Sequence, residues 1–167
     1  EKEMLNEVFE VLREYPFVIT FNGDDSDLRY LVHRAERFGF SREELPIELG
    51  RDSALLRHGV HVDLYKFFFN RSIQVYAFGQ RYRDITLDDI AYALLGVGKV
   101  SLEKPVSELS LRELARYCYN DAKITYMLTS FGDDLVMKLI TIVARVSKLP
   151  MDDVVRQGIS NWIRNLM

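Results

Sequence analysis

The fold is decided by the run Pro16-Phe17-Val18-Ile19-Thr20-Phe21, which is followed at once by Asn22-Gly23-Asp24-Asp25-Ser26-Asp27. The first run is apolar, β-branched or aromatic, and it predicts a fully buried strand. The second run consists of turn-forming residues, so it ends the strand. The next apolar residues recur at helical spacing and predict a helix with one apolar face: Leu28, Leu31, Val32, Ala35 and Phe38. Together the strand, the acidic turn and the helix indicate an α/β fold.

The acidic turn lies where a ligand site is expected. In an open α/β sheet, ligands gather at the carboxyl ends of strands. Asp24, Asp25 and Ser26 also suit the start of a helix, because a side-chain oxygen can cap it and an acid favours its dipole. For any single one of these residues, we expect helix capping.

A second acid stands out in the helix predicted near residues 110–130. Its apolar half is formed by Leu111, Leu114, Cys118, Ala122, Ile124, Thr125 and Leu128. Asp121 falls in this half, and Tyr117 lies one turn earlier, so both side chains can point into the same cleft. Burial of an unpaired carboxylate costs several kcal/mol, roughly, so Asp121 should face a cation, a metal or strong donors. A core aspartate satisfied by backbone amides or an arginine fits the helix equally well.

Taken together, the segments Phe21–Leu31 and Tyr117–Tyr126 resemble the second and third exonuclease motifs of family B DNA polymerases. Between them, Gly59–Tyr65 is similar to a strand of those exonuclease domains, and Thr86–Ala91 is similar to the start of their following helix. Near the end, Arg156–Arg164 is similar to the segment that leads into the polymerase portion. The resemblance covers nearly the whole chain and is strongest to archaeal members.

The resemblance implies a ribonuclease H-like exonuclease fold and 3′–5′ proofreading, the removal of a mismatched nucleotide from the 3′ end of DNA. The expected chemistry is two-metal hydrolysis with Mg²⁺ or Mn²⁺, which prefer hard oxygen ligands. By motif position, Asp27 and Asp121 would be metal ligands and Tyr117 would orient the attacking water. The residues expected to contact DNA are Asn22, Ser26 and Arg29. The expected partners are the single-stranded 3′ end, the primer–template and the remainder of a polymerase chain.

Two departures from the family pattern limit this interpretation. Ser26 stands where the second motif normally has an aromatic residue. The first motif, Asp-x-Glu, would precede Phe17, but residues 1–15 contain no such sequence and their apolar spacing predicts a helix. We therefore expect the chain to be a piece of a longer protein whose preceding strands are absent. The alternative is a catalytically incomplete exonuclease-like scaffold or DNA-binding module of a polymerase or a polymerase paralogue.

Composition excludes several classes of protein. The single cysteine, Cys118, argues against a disulfide framework, and we expect it to be a small core residue. The longest apolar stretch, residues 135–146, is broken by Lys138 and Arg145 and is too short to span a bilayer. A net charge of −3 disfavours a general DNA binder but suits an acidic metal site that receives a frayed 3′ end. We expect a soluble, cytoplasmic and nucleoid-associated protein.

The element order expected along the chain is helix, strand, helix, loop, strand, irregular segment, helix, helix and two C-terminal helices. The segments Ser41–Glu44 and Ser110–Glu113 both have the form of a capping box and predict helix starts. Gly132 is expected to end the third-motif helix. Accordingly, residues 1–131 are assigned to the exonuclease-like domain and residues 132–167 to helices leading toward the polymerase portion.

Three other features have structural interpretations. The run Arg71–Arg83 is basic and aromatic and could contact single-stranded DNA, but we favour a surface loop that tucks its rings onto the domain. The three histidines do not have the spacing of zinc ligands and are expected to be surface or packing residues: His33, His58 and His61. Asp63 ends a predicted buried strand and could reach a metal, but a backbone-bonded structural role is favoured.

Overall fold

The computed structural model describes residues 1–98 and 104–167, which form a mixed α/β structure. In chain order, its elements are α1 (Lys2–Glu14), β1 (Phe17–Thr20), α2 (Asp27–Arg37), β2 (Ile47–Leu49), β3 (Ala54–Leu56), β4 (Val60–Asp63), α3 (Leu64–Phe69), a π-helix (Ile73–Ala77), α4 (Leu87–Leu95), a 3₁₀-helix (Val106–Glu108), α5 (Leu111–Thr129), α6 (Phe131–Ser147), α7 (Met151–Arg156) and α8 (Ile159–Arg164). Helices α1, α2, α4 and α5 and strands β1 and β4 confirm the predicted elements.

Strands β1 and β4 pair in parallel, with Phe17 opposite Val60 and Thr20 opposite Asp63. Because parallel strands end at the same edge, the acidic turn after β1 lies beside Asp63. Strands β2 and β3 form a separate antiparallel hairpin between α2 and β4. The sequence predicted only a loop there, since each strand is three residues long and too short to show an alternating pattern.

The prediction that β1 is fully buried is wrong. Phe17 is exposed, and Val18, Ile19 and Thr20 are only half-buried. Within the part of the chain that the structure describes, β1 pairs with β4 and with no strand on its other side. The unpaired side therefore leaves apolar side chains of β1 partly open to solvent.

Two hydrophobic clusters hold the elements together. The smaller one joins α1, α2 and the β2–β3 hairpin through buried residues such as Leu5, Phe9 and Leu28. The larger one joins β4, α3, α4, α5 and the helices after residue 132, and Val154 and Trp162 of those helices belong to it. The boundary proposed at residues 131/132 therefore crosses a continuous core, and the domain assignment stays a prediction.

The two predicted capping boxes have different outcomes. The Ser110 hydroxyl accepts a hydrogen bond from the Glu113 N–H, the Glu113 carboxylate accepts one from the Ser110 N–H, and α5 begins there. Glu44 likewise accepts from the Ser41 N–H at 2.9 Å, but the chain makes only a turn before β2. The predicted helix at Ser41 is therefore wrong. Pro46 explains this outcome, because a proline disfavours helical conformation in the preceding residue.

The remaining predictions on chain course are confirmed in part, and the two predicted C-terminal helices are three in the structure, α6, α7 and α8. Phe78 and Tyr82 of the basic, aromatic run are buried, and the Tyr82 hydroxyl donates to the Phe68 carbonyl at 3.0 Å. Those rings therefore pack onto the domain as favoured, although Tyr76 is exposed. Helix α5 ends at Thr129, and Gly132 lies just beyond it at a left-handed kink, with φ of 58°. No helix in the described ranges is long and apolar enough to cross a membrane.

Candidate functional site

A cleft of about 890 Å³ opens at the carboxyl end of β1. One wall is the acidic turn and the start of α2, and the facing wall is the middle of α5, from Tyr117 to Tyr126. Side chains from Tyr65 and from the start of α4 complete the lining. The segments that resemble the second and third exonuclease motifs are far apart in sequence, but they face one cavity.

The cleft contains five of the six residues predicted to form the site: Asn22, Ser26, Asp27, Tyr117 and Asp121. Asp27 is exposed at the first position of α2 and accepts a hydrogen bond from the Ser26 hydroxyl at 3.2 Å. Asp121 is half-buried on α5. These positions are structural facts, whereas the roles of the residues in catalysis and DNA binding stay predictions.

The apolar half of α5 is buried only toward its end. Ile124, Thr125 and Leu128 are in the core, but Leu111 is 86% exposed and Cys118 is also exposed. The prediction that Cys118 is a core residue is wrong, because this part of the helix faces the open cleft instead of a packed layer.

Arg29, the sixth predicted residue, does not line the cleft. Its Nε donates to the Asp24 carbonyl at 2.7 Å, and its Nη2 donates to the carbonyls of Gly50 and Arg51 at 3.0 and 2.8 Å. These bonds tie α2 to the loop of the β2–β3 hairpin. The observed contacts of Arg29 are structural, and a contact with DNA stays a prediction.

Asp63 anchors the acidic turn to the end of β4. Its carboxylate is fully buried and accepts hydrogen bonds from the backbone N–H groups of Asn22 at 2.7 Å, Asp24 at 3.0 Å and Tyr65 at 3.0 Å. The structural, backbone-bonded role favoured for Asp63 is therefore confirmed. Burial raises the pKa of the Asp63 carboxyl, and the backbone N–H bonds offset only part of this effect.

Asp24 has a different partner, which the sequence did not reveal. Its carboxylate is fully buried and accepts from the Ala54 N–H at 2.8 Å and from both Nε and Nη2 of Arg156, each at 2.8 Å. Burial alone would raise the pKa of Asp24, but hydrogen bonds from His61, Arg156 and Ala54 outweigh it and hold the pKa well below its ordinary value. Asp24 therefore remains ionised and does not cap α2.

The other residues of the turn do not cap α2 either. Ser26 occupies the N-cap position of α2, but its side chain makes no capping hydrogen bond. Asp25 forms an ion pair with Lys66 at 2.5 Å. The capping predicted for Asp24, Asp25 or Ser26 is therefore wrong. The turn is held instead by hydrogen bonds to side chains of β4 and α7.

His61 supports the same turn from within the core. It is fully buried, with Nδ1 2.6 Å from the Ala54 carbonyl and Nε2 2.8 Å from the Thr20 hydroxyl. Nδ1 also lies 2.9 Å from Nη2 of Arg156, and because a carbonyl accepts while a guanidinium donates, these contacts do not decide which ring nitrogen carries the proton. The Thr20 hydroxyl in turn accepts from the Gly23 N–H at 3.2 Å. His61 is therefore a packing residue, as predicted.

The donor set of the cleft suits a hard cation but is small. Asp27 and Asp121 are the acidic residues among the described residues that line it. Carboxylate oxygens are the ligands that Mg²⁺ and Mn²⁺ prefer. In the described ranges, no group of three or more histidine, cysteine, aspartate or glutamate side chains is arranged to hold a metal ion. Among the described residues, the acids that line the cleft are of the type that binds such ions but are too few for a full coordination shell.

Comparisons with known proteins point to one family. Residues 1–74 match the family model described as DNA polymerase family B, exonuclease domain. The chain is 49% identical over 167 residues to DNA polymerase 1 of Aeropyrum pernix, a match that covers 100% of this chain and 17% of the relative. It is 46% identical over 166 residues to DNA polymerase 1 of Sulfolobus acidocaldarius, covering 99% and 19%. The chain thus spans about a fifth of the length of these relatives.

Proposed function

Because the chain belongs to the family B DNA polymerases of the archaeal type, in their exonuclease region, we propose that it contributes to 3′–5′ proofreading within a longer polymerase chain. The observation that carries this proposal is that Asp27, Tyr117 and Asp121 line one cleft although they come from separate elements. The substrate would be the single-stranded 3′ end of a primer–template. We further propose the ribonuclease H-like fold for the complete domain, and a place of action at DNA in the cytoplasm.

Each cleft residue has a proposed task. Asp27 and Asp121 would hold Mg²⁺ or Mn²⁺, and the remaining ligands would come from other parts of the polymerase chain. Two bound cations would activate water and neutralise charge on the phosphate that is cleaved. The Tyr117 hydroxyl would orient the attacking water by a hydrogen bond. Asn22 and Ser26, on the opposite wall, would contact the terminal nucleotides.

A second candidate function is an exonuclease-like module that binds DNA without cleaving it. The observation that favours this alternative is the small donor set, since Asp27 and Asp121 are the acids that line the cleft in the described ranges. Asp24 and Asp63 cannot supplement them in the observed arrangement, because their oxygens are occupied by Arg156 and by backbone amides.

The deciding experiment measures excision of a mismatched 3′ nucleotide and DNA synthesis by the full-length polymerase. Asp121→Ala and Asp27→Ala should each abolish excision while synthesis stays largely intact, because they remove metal ligands and not polymerase residues. Asp25→Ala is the matched control, since Asp25 belongs to the same turn but pairs with Lys66 outside the cleft. Equal loss of excision in Asp25→Ala, or unchanged excision in both other variants, would refute the proposed roles.

A further inference from the structure

Arg156 joins a C-terminal helix to the acidic turn. Its side chain is 11% exposed and extends from α7 to Asp24, where Nε and Nη2 each donate to a carboxylate oxygen at 2.8 Å. The third nitrogen, Nη1, donates to the His61 carbonyl at 3.2 Å and to the Asp152 carbonyl of its own helix at 2.6 Å. The guanidinium is therefore fixed between α7, β4 and the turn.

The acidic turn, which Arg156 binds through Asp24, also carries residues that line the cleft. Besides its side-chain bonds, Asp24 donates its N–H to Asp63 and accepts at its carbonyl from Arg29. Backbone hydrogen bonds connect the residues on either side of Asp24. The Ser26 N–H donates to the Asn22 carbonyl and the Leu28 N–H donates to the Gly23 carbonyl, each at 3.1 Å. The positions of Asn22 and Asp27 therefore depend on how firmly Asp24 is held.

We propose that Arg156 is a positioning residue for the exonuclease site, which fixes the turn bearing Asn22 and Asp27 through its fork-shaped ion pair with Asp24. This inference rests on the proposed function of the cleft. A bidentate arginine–carboxylate pair gives directional as well as electrostatic restraint, and a lysine at the same place supplies charge without the fork. Because α7 belongs to the segment assigned to the polymerase side, excision then depends on the docking of that segment.

Contacts other than the ion pair also hold α7 in place. Val154 and Val155 of this helix are buried in the larger hydrophobic cluster, and Trp162 donates its indole N–H to the Val154 carbonyl at 3.2 Å. Loss of the fork should therefore leave α7 docked and loosen the turn selectively. A residue that served only general stability would affect synthesis and excision together.

The test compares Arg156→Lys with Arg34→Lys in the full-length polymerase. Arg34 is a matched control because its Nε and Nη2 form the same fork with Glu1, on the α1–α2 side of the molecule and outside the cleft. Arg156→Lys should lower the rate of mismatch excision by about ten- to a hundredfold, since a small misplacement of catalytic groups has effects of this size. DNA synthesis and the midpoint of thermal unfolding should stay near wild type, and Arg34→Lys should match wild type throughout.

Amide hydrogen exchange adds a readout that does not depend on activity. In Arg156→Lys, exchange should rise in residues 20–28, where the N–H groups of Asn22 and Asp24 are bonded to Asp63, and should stay unchanged in α1. Asp24→Asn removes the other partner and should give the same selective loss of excision, so it decides the question if Arg156→Lys does not fold. Excision by both variants within about twofold of wild type, or an equal loss of synthesis and excision, overturns the inference. A wild-type polymerase that does not excise would overturn the proposed function, and the inference with it.

Discussion

Asp24, Asp25 and Asp27 lie in one short segment, yet their surroundings give them separate tasks. Asp24 is buried and paired with Arg156, Asp25 pairs with Lys66 at the surface, and Asp27 lines the cleft. A buried ion pair is weak grounds for high stability, since desolvation offsets much of the attraction, but it restrains geometry well. At the scale of residues, the pairing of Asp24 leaves Asp27 as the acid of this turn that faces the cleft.

Tyr117 provides a milder test of the cleft than the acids do. Tyr117→Phe in the full-length polymerase should lower mismatch excision by about three- to tenfold, because one hydrogen bond to water contributes about 1 kcal/mol. Tyr119→Phe is the control, since Tyr119 lies on the same helix, is exposed and does not line the cleft. Single-turnover excision of a mismatched primer measures both variants. If the Tyr119 variant lost as much activity as the Tyr117 variant, the role of Tyr117 in orienting water would be wrong.

The residues of the cleft could be predicted from sequence, but the contacts that hold the acidic turn in place could not. Tyr117 and Asp121 share a helix face, so periodicity places them together, whereas Asp27 is identified through the resemblance to the second exonuclease motif. The bond between Asp24 and Arg156 has no local signature, because residues 24 and 156 meet only after β4 and α7 have packed together. Sequence reasoning therefore assigned Asp24 to a helix cap, the most common local role for such an acid.

At the scale of elements, α5 is the helix on which the cleft depends. Its start is fixed by the Ser110–Glu113 capping box, its last turns are buried, and its middle carries Tyr117 and Asp121 toward the opening. Hydrogen bonds from the side chain and backbone of Ser110, with the nearby Lys104, lower the pKa of Glu113 to about 2. Glu113 therefore stays ionised and keeps accepting these bonds throughout the neutral pH range.

A pair of serine variants measures what the capping box contributes. Ser110→Ala should lower the free energy of unfolding of this chain by about 1 kcal/mol, because it removes the acceptor for an N–H group at the start of a long helix. Ser41→Ala should have a smaller effect, since the same sequence pattern there precedes only a turn. Urea denaturation followed by circular dichroism gives both values. Equal destabilisation by the two variants would contradict the assignment of a helix cap to Ser110 alone.

The sequence predicts the long helices correctly and a helix near residue 41 wrongly for a physical reason. The long apolar periodicity of α2 and α5 outweighs single unfavourable residues, whereas a capping box without a following apolar stripe is overruled by Pro46. The short strands β2 and β3 were not predicted, because strands of this length are defined by their partner across the hairpin and not by their own sequence pattern. Tertiary pairing decides such elements, and a single sequence does not report it.

In the molecule as a whole, the unpaired strand β1 forms part of the cleft lining. Phe17 and Ile19 of β1 line the cleft, and β1 pairs with β4 alone within the described ranges. A strand edge that carries unpaired backbone groups beside apolar side chains is prone to association. We expect the remainder of a polymerase chain to cover this side and to bring further acidic ligands toward Asp27 and Asp121.

This arrangement predicts that the 167-residue chain alone does not degrade DNA at a meaningful rate. In the described ranges, two acids line the cleft, and a two-metal site needs further bridging ligands to hold both cations. The measurement is a nuclease assay on single-stranded DNA with Mg²⁺ or Mn²⁺, comparing this chain with the full-length polymerase. The polymerase should excise and the short chain should not. Metal-dependent 3′–5′ cleavage by the short chain, lost in Asp121→Ala, would show instead that the acids it already carries suffice.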